Sequence, residues 1–192
     1  KIQIGNQYKF ITSSDTEVLL AMLILYGIKS LEKINGMFAF CFYDVEKNTY
    51  TFARDRFGQK PFFYHRNNNF FYFASEIKAL LVAGIDNTPD YNSISEYLHK
   101  GKIDCYENTW FKKIKQLPAG ELIQIKNNLI ITKFKWYDIE ATKRLEIPQN
   151  TQDRNSLIND TFVKVCEEHL NSDTNIGIKL SGGLDSSTML AS

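Results

Sequence analysis

Apolar positions change period several times along the chain, and each change marks an element. Val18, Leu19, Met22, Leu23 and Tyr26 recur at three- and four-residue spacing, which predicts a helix beginning near Asp15 with one buried face. Ser14, followed three residues later by Glu17, has the pattern of a capping box at its start. "MFAFCFYD" at 37–44 is apolar on both alternating sets of positions and predicts a strand buried on both sides. The polar "VEKN" turns the chain, "TYTFARD" returns as the partner strand, and "PFFYHRNNNFFYFAS" reads as a second hairpin turning at Arg66 to Asn69.

Beyond Ser75 the period returns to helical. "SEIKALLVAG" predicts a short helix ending at Gly84, and a second runs from Asn92 to about Lys100. "GELIQIKNNLIITKFKWYD" predicts a hairpin turning at Asn127 and Asn128, approached through Pro118, Ala119 and Gly120. Residues 141–153, "ATKRLEIPQNTQD", are polar, weakly periodic and interrupted by Pro148, and are read as a linker. "RNSLINDTFVKVCEEHL" is helical, Ile176 to Leu180 is strand-like, and a turn through Ser181, Gly182 and Gly183 opens a helix near Leu184. Doubly covered strands between helices predict a four-layer αββα sandwich over residues 1–140, and the segment 154–192 predicts the first βα unit of an α/β domain.

Composition narrows the class. The 192 residues are 43% hydrophobic and 14% aromatic, enough for a sizeable core, and no internal repeat is visible. A net charge of +1, with basic residues scattered, gives no footprint for nucleic acid or an anionic membrane. No apolar run has the length of a membrane-spanning helix, and the first residues lack a signal-peptide pattern. Cys41, Cys105 and Cys166 are widely spaced, odd in number and in no C-x-x-C arrangement, which points away from a disulfide framework or zinc site and toward a reducing cytoplasm. His65, His99 and His169 stand alone, without metal-ligand spacing.

The stretch with the densest chemistry is "LSGGLDSS" at 180–187. Glycines at a strand-to-helix corner let an anion approach the main chain, and the N–H groups opening the helix point at it. No Walker A run with its lysine occurs; Ser181, Ser186 and Ser187 offer hydroxyl donors, and Asp185 is suited to holding Mg²⁺ on a polyphosphate. An ordinary βα turn would also draw on Ser, Gly and Asp.

"LSGGLDSS" resembles the PP-loop of the ATP pyrophosphatases. With "SSDTEVL" at 13–19, "LEKINGMFAFCFYD" at 31–44, "FARDRFGQKPFFYH" at 52–65 and "FYFASEIKALL" at 71–81 upstream, the chain resembles the glutamine-dependent asparagine synthetase family. The resemblance implies the C-terminal part of a class II glutamine amidotransferase domain, similar to N-terminal nucleophile hydrolases, followed by the start of a truncated synthetase domain. It is thinnest from about Thr88 to Asn171. It also implies ATP and Mg²⁺ as cofactors, with glutamine and aspartate as substrates, and it allows a homodimer.

In such glutaminases the thiol of a first-residue cysteine attacks the amide while its free α-amino group serves as base. Here Lys1 stands first, and no internal cysteine has the adjacent free amine, so no catalytic residue is expected in this stretch. Segments like "RLSI" and "NGEIYN" are expected to precede it. Asp15 matches the acidic residue that receives the glutamine α-ammonium; on its own it reads equally as a first-turn helix residue favoured by the dipole. The resemblance implies ATP or pyrophosphate contacts at Leu180, Ser181, Gly182, Gly183, Asp185 and Ser186, with Asp185 also toward Mg²⁺. Arg54, Asp55, Gly58, Lys60 and Pro61 read as structural, with Gly58 and Pro61 shaping a turn and Lys60 in an ion pair or interface. Other carboxylate-adenylating synthetases that form lactams or cyclise peptides, and a non-catalytic remnant, are the alternative functions. The stretch by itself is expected to catalyse neither half-reaction.

Overall fold

The computed structural model describes residues 4–101, 106–127, 129–142, 146–170, 172 and 174–192, with the backbone alone for Asn6. Lys1, Cys105, Asn128, Asn171 and residues 143–145 of the expected linker lie outside them. The chain forms two compact units, Lys1–Thr142 and Lys143–Ser192.

The first unit opens with helix α1, Asp15–Tyr26, capped by the Ser14 side chain accepting from Thr16 N–H at 3.1 Å. Glu17 does not reach back to Ser14. It accepts instead from the N–H groups of Ile11 and Thr12 at 2.8 and 2.7 Å, pinning the preceding chain across the helix start. Met22 and Leu23 are buried and Val18, Leu19 and Tyr26 half-buried, as the periodicity predicts. Ala21 joins the buried set because Ile4 folds down beside it, with Tyr8 and Phe10 packed around them.

A 3-10 segment, Gly27–Lys33, leads into strands β1 (Ala39–Asp44) and β2 (Thr49–Arg54). Strands β3 (Phe63–Arg66) and β4 (Phe71–Ala74) make the second hairpin, and helices α2 (Ile77–Val82) and α3 (Tyr91–Lys100) follow. Strands β5 (Lys115–Gln116), β6 (Glu121–Lys126) and β7 (Leu129–Lys135) complete the sheets. One sheet has the order β1-β2-β6-β7 and the other β4-β3-β5, with every pairing antiparallel.

Alternation along β2 divides the core. Phe52 points between the sheets and packs with Phe62, Tyr64, Leu117, Ile123 and Ile125. Ala53, on the opposite face, meets Leu31 of the 3-10 segment and Leu122. Helix α2 packs on β3 and β4, and the 3-10 segment packs through Leu31 on the other sheet, so the two sheets lie between helical layers. At the sheet border, Tyr64 donates its hydroxyl to Glu107, which also accepts from Lys133 at 2.7 Å. Burial raises the Glu107 pKa, but the hydrogen bonds from Lys133 and Tyr64 outweigh it and leave the carboxyl below its ordinary range.

The expectation for β1 needs correction. Among the described residues it is an edge strand, half-buried at best, and Cys41 on it is exposed, where a strand buried on both sides was expected. Among the described residues no strand pairs beyond it, and a cavity separates it from α1. The β3–β4 turn sits one residue later than its pattern predicts: the Asn67 side chain accepts from Asn69 and Phe70 N–H at 3.0 and 2.8 Å, closing the turn at Phe70.

In the second unit, α4 (Thr151–His169) is capped by Asn150, and α5 (Leu184–Ala191) begins after Gly183. Residues 175–180 carry no strand ladder, contrary to the prediction for Ile176 to Leu180. A strand needs a neighbour to take its N–H and C=O groups, and this unit holds no other strand among its described residues.

Two outcomes test this packing. Gly120 has φ +66°, and a Cβ there would lie 2.7 Å from the Tyr137 carbonyl oxygen. Gly120→Ala therefore destabilises the first unit by roughly 2 kcal/mol or more in urea unfolding, because left-handed strain adds to the clash. Cys41, although it reaches solvent at the edge, has its thiol pushed up to about 11 by desolvation. Iodoacetamide at pH 8 should then modify it roughly a hundredfold more slowly than an unperturbed cysteine, followed by mass spectrometry of its peptide.

Candidate active-site cavity

A cavity of about 970 Å³ in the first unit opens between α1 and the chain entering β1. Asp15, Thr16, Val18, Leu19 and Met22 form one wall, and residues 33–40 form the other. Lys60, Pro61 and Ser75 close the end. The α1 wall is apolar except at its N-terminal turn, because residues 18, 19 and 22 share a face and Asp15 starts the same row.

Asp15 is thus an exposed carboxylate at the helix start, accompanied by Thr16, whose hydroxyl lies 3.5 Å from Oδ1. Asn35 and Gly36, at a bend before Met37, line the same cavity. A cleft lined by an apolar helix face with a carboxylate at its first turn is suited to a small molecule carrying an ammonium group. Lys60, read from sequence as an ion-pair or interface residue, stands exposed on the cavity wall with no ion pair among the described residues. Gly58 does shape a turn, at φ +65°.

None of the described cysteines is set up as a nucleophile. Cys41 holds its proton at neutral pH, and Cys166 lies part-way along α4. The three histidines are engaged locally: Nδ1 of His65 meets the Lys113 carbonyl at 2.7 Å, that of His99 the Ser95 carbonyl at 2.8 Å, and that of His169 the Val165 carbonyl at 2.8 Å. Among the described residues no group of three or more His, Cys, Asp or Glu side chains could hold a metal ion.

The remaining candidates lie in the second unit. Ser181 and Ser186 hydroxyls meet at 3.0 Å, and Ser186 Oγ also accepts from Ser181 N–H at 3.3 Å. Gly182 has φ +79°, Gly183 is the N-cap of α5, and Asp185 occupies its first turn. Leu180, Ser181, Gly182, Gly183 and Asp185 are exposed. The two serines are therefore gathered over a helix N-terminus even though the preceding residues form no strand. Asp185 supplies one carboxylate, so Mg²⁺ would fit only with phosphate oxygens and waters completing its shell.

Sequence reasoning missed the wall formed by Asn35 and Gly36 and the place of Lys60 at the end of the same cavity. Their signal was available in "NGMF" and "GQKP", turn residues adjoining strands, but only the fold brings those turns together.

The family described as Glutamine amidotransferase domain matches residues 2–137. Asparagine synthetase (glutamine-hydrolysing) 3 of Bacillus subtilis is 35% identical over 96% of this chain and 30% of its own length. Asparagine synthetase B (glutamine-hydrolysing) of Escherichia coli is 32% identical over 100% of this chain and 29% of its own. The chain thus spans under a third of the length of these relatives. Among solved structures, the glutamine phosphoribosylpyrophosphate amidotransferase of B. subtilis superposes with a TM-score of 0.50 over 71% of this chain and 26% of its own, at 23% identity, a likeness of fold. The paired antiparallel sheets between helices, the cavity beside α1 and the match over residues 2–137 place this chain in the glutamine amidotransferase domain family.

Proposed function

We propose that the chain is the glutamine-binding part of an ATP-dependent amide synthetase, with aspartate as acceptor and asparagine as product. The observation that carries this reading is the cavity that Asp15 lines together with the apolar face of α1 and residues 33–40. In this reading the Asp15 carboxylate receives the α-ammonium of free glutamine, and the apolar face of Val18, Leu19 and Met22 packs along the side-chain methylenes. Water replaces the amide nitrogen, giving glutamate and ammonia. The groups that attack the amide are not among the described residues.

The ammonia is consumed where the β-carboxylate of aspartate has displaced pyrophosphate from the α-phosphorus of ATP. Attack on that mixed anhydride gives asparagine and releases AMP. In the second unit, Ser181, Ser186 and the N–H groups at the start of α5 would hold the departing pyrophosphate oxygens, with Leu180 near the nucleotide through its backbone. Asp185 would seat Mg²⁺, which supplies charge neutralisation on the pyrophosphate. The similarity to two glutamine-hydrolysing asparagine synthetases over nearly the whole chain supports aspartate over other acceptors.

Two variants of the full-length protein separate the halves. Asp15 is exposed in the first turn of α1, so Asn costs the fold only a few tenths of a kcal/mol through the dipole, whereas a lost charged hydrogen bond raises the KM for glutamine roughly 10- to 100-fold. Asp15→Asn should do this while ammonia-dependent synthesis stays intact; equal losses with glutamine and ammonia would remove Asp15 from the glutamine site. Asp185→Asn should lower aspartate-dependent exchange of labelled pyrophosphate into ATP on the order of 10²-fold and leave glutamine hydrolysis measurable. Normal exchange in that variant, or release of ADP and phosphate by the wild type, would overturn the adenylation step.

A further inference from the structure

We propose that Asp55 is a positioning residue for the glutamine cavity, holding two of its walls at a fixed separation; this rests on reading that cavity as the glutamine site. Asp55 is 1% exposed, at the end of β2. Its two carboxylate oxygens have separate tasks. Oδ1 accepts from Phe57 and Gln59 N–H at 3.1 and 2.9 Å and so closes the turn after the strand. Oδ2 accepts from Phe38 N–H at 3.3 Å and Lys60 N–H at 2.9 Å. Phe38 and Lys60 belong to different walls of the cavity, and the single oxygen joins them.

The same two residues are held at their carbonyls. Asp55 N–H donates to Phe38 C=O at 2.8 Å, and Arg54 Nε donates to Lys60 C=O at 2.7 Å. Arg54 goes on to Gly58 C=O through Nη2 and to Leu117 C=O through Nη1, both at 2.7 Å. Both walls are thereby fastened to the end of β2, whose Phe52 sits in the core between the sheets. A Cβ at Gly58 would meet the Arg54 guanidinium carbon at 3.1 Å, so the turn closes on the arginine with little space left.

Four N–H donors on one side chain require an acceptor-only group with four lone-pair sites, which among amino acids is an ionised carboxylate. Asparagine keeps one oxygen and replaces the other with a donor. If its oxygen serves the turn, its NH₂ faces the N–H groups of Phe38 and Lys60; reversed, it faces those of Phe57 and Gln59. Either way the turn and the walls are no longer held by one side chain, although the core behind them is untouched.

The test is steady-state glutamine hydrolysis by full-length Asp55→Asn, beside Ile123→Val as a core variant that lowers stability without touching the cavity. Loss of hydrogen bonds that set the cavity walls predicts a KM for glutamine raised about tenfold or more, kcat within about threefold, and no KM change in Ile123→Val. If Asp55→Asn does not accumulate folded, hydrogen exchange of the wild type is followed at the Phe38 and Lys60 amides with and without saturating L-glutamate, and both should slow together. Unchanged KM in Asp55→Asn, an equal KM rise in Ile123→Val, or exchange at those amides indifferent to L-glutamate would overturn the positioning role alone. A wild type that neither hydrolyses glutamine nor binds L-glutamate would overturn the glutamine reading and the positioning role with it.

Discussion

The aromatic contact between the two sheets is what the first unit depends on. Hydrogen-bond ladders join strands within a sheet and contribute nothing between sheets, so side-chain packing chiefly holds the layers together, with the Tyr64–Glu107–Lys133 link at their border. Phe52 is its centre, with ring centroids 4.8 Å from Phe71, 5.1 Å from Phe73 and 5.7 Å from Phe62. The buried rings of Phe52 and Phe62 contribute roughly 1.5–3 kcal/mol each by burial, the partly exposed Phe71 and Phe73 less, and well-oriented pairs add about 0.5–1.5 kcal/mol. Three of the four rings come from the β3–β4 hairpin and its approach, so the second sheet is located chiefly by its grip on one residue of β2.

Because β2 is fixed in this way, its end is the stiffest available point from which to build a site. The next outward residue on the Phe52 face is Arg54, and the one after the strand is Asp55; between them they bond the main chain of residues 38, 58, 60 and 117. Rigidity passes from apolar packing to a set of backbone hydrogen bonds within two residues. The cavity walls are loops, which lack a ladder of their own, and buried charge substitutes for one. Arg56 extends the same arrangement outward, donating to the Glu32 carbonyl at 2.8 Å and lying over the Trp136 and Tyr137 rings at 5.5 and 5.3 Å.

Elements specified by near neighbours were legible in the sequence. The helix at Asp15, the β1–β2 turn and the β6–β7 hairpin follow from spacing and turn chemistry alone, and Asn48 and Asn127 adopt the positive φ that such turns demand. What spacing cannot tell is which strand lies at an edge. "MFAFCFYD" is apolar on both faces, which reads as double burial, but burial needs a layer over each face, and a cavity lies between α1 and β1, which among the described residues pairs only with β2. Asp15 could be placed at a helix start from its own surroundings. Asn35, Gly36 and Lys60 could not be placed beside it, because their nearness to Asp15 is set by the β1–β2 pairing and the Asp55 turn, both non-local.

The second unit shows the same division at smaller scale. The predicted strand at Ile176 to Leu180 depends on partners elsewhere in a sheet, and here it carries no ladder. The loop that follows depends on no such partner. Gly182 takes its positive φ, Ser187 N–H returns to the Gly183 carbonyl at 3.1 Å, and Ser186 folds back on Ser181, all within seven residues. A helix start assembled from local bonds keeps its unpaired N–H groups and its serines together whether or not a sheet stands behind it. A sheet would then fix only where that turn points, which is a matter of orientation and not of forming the turn.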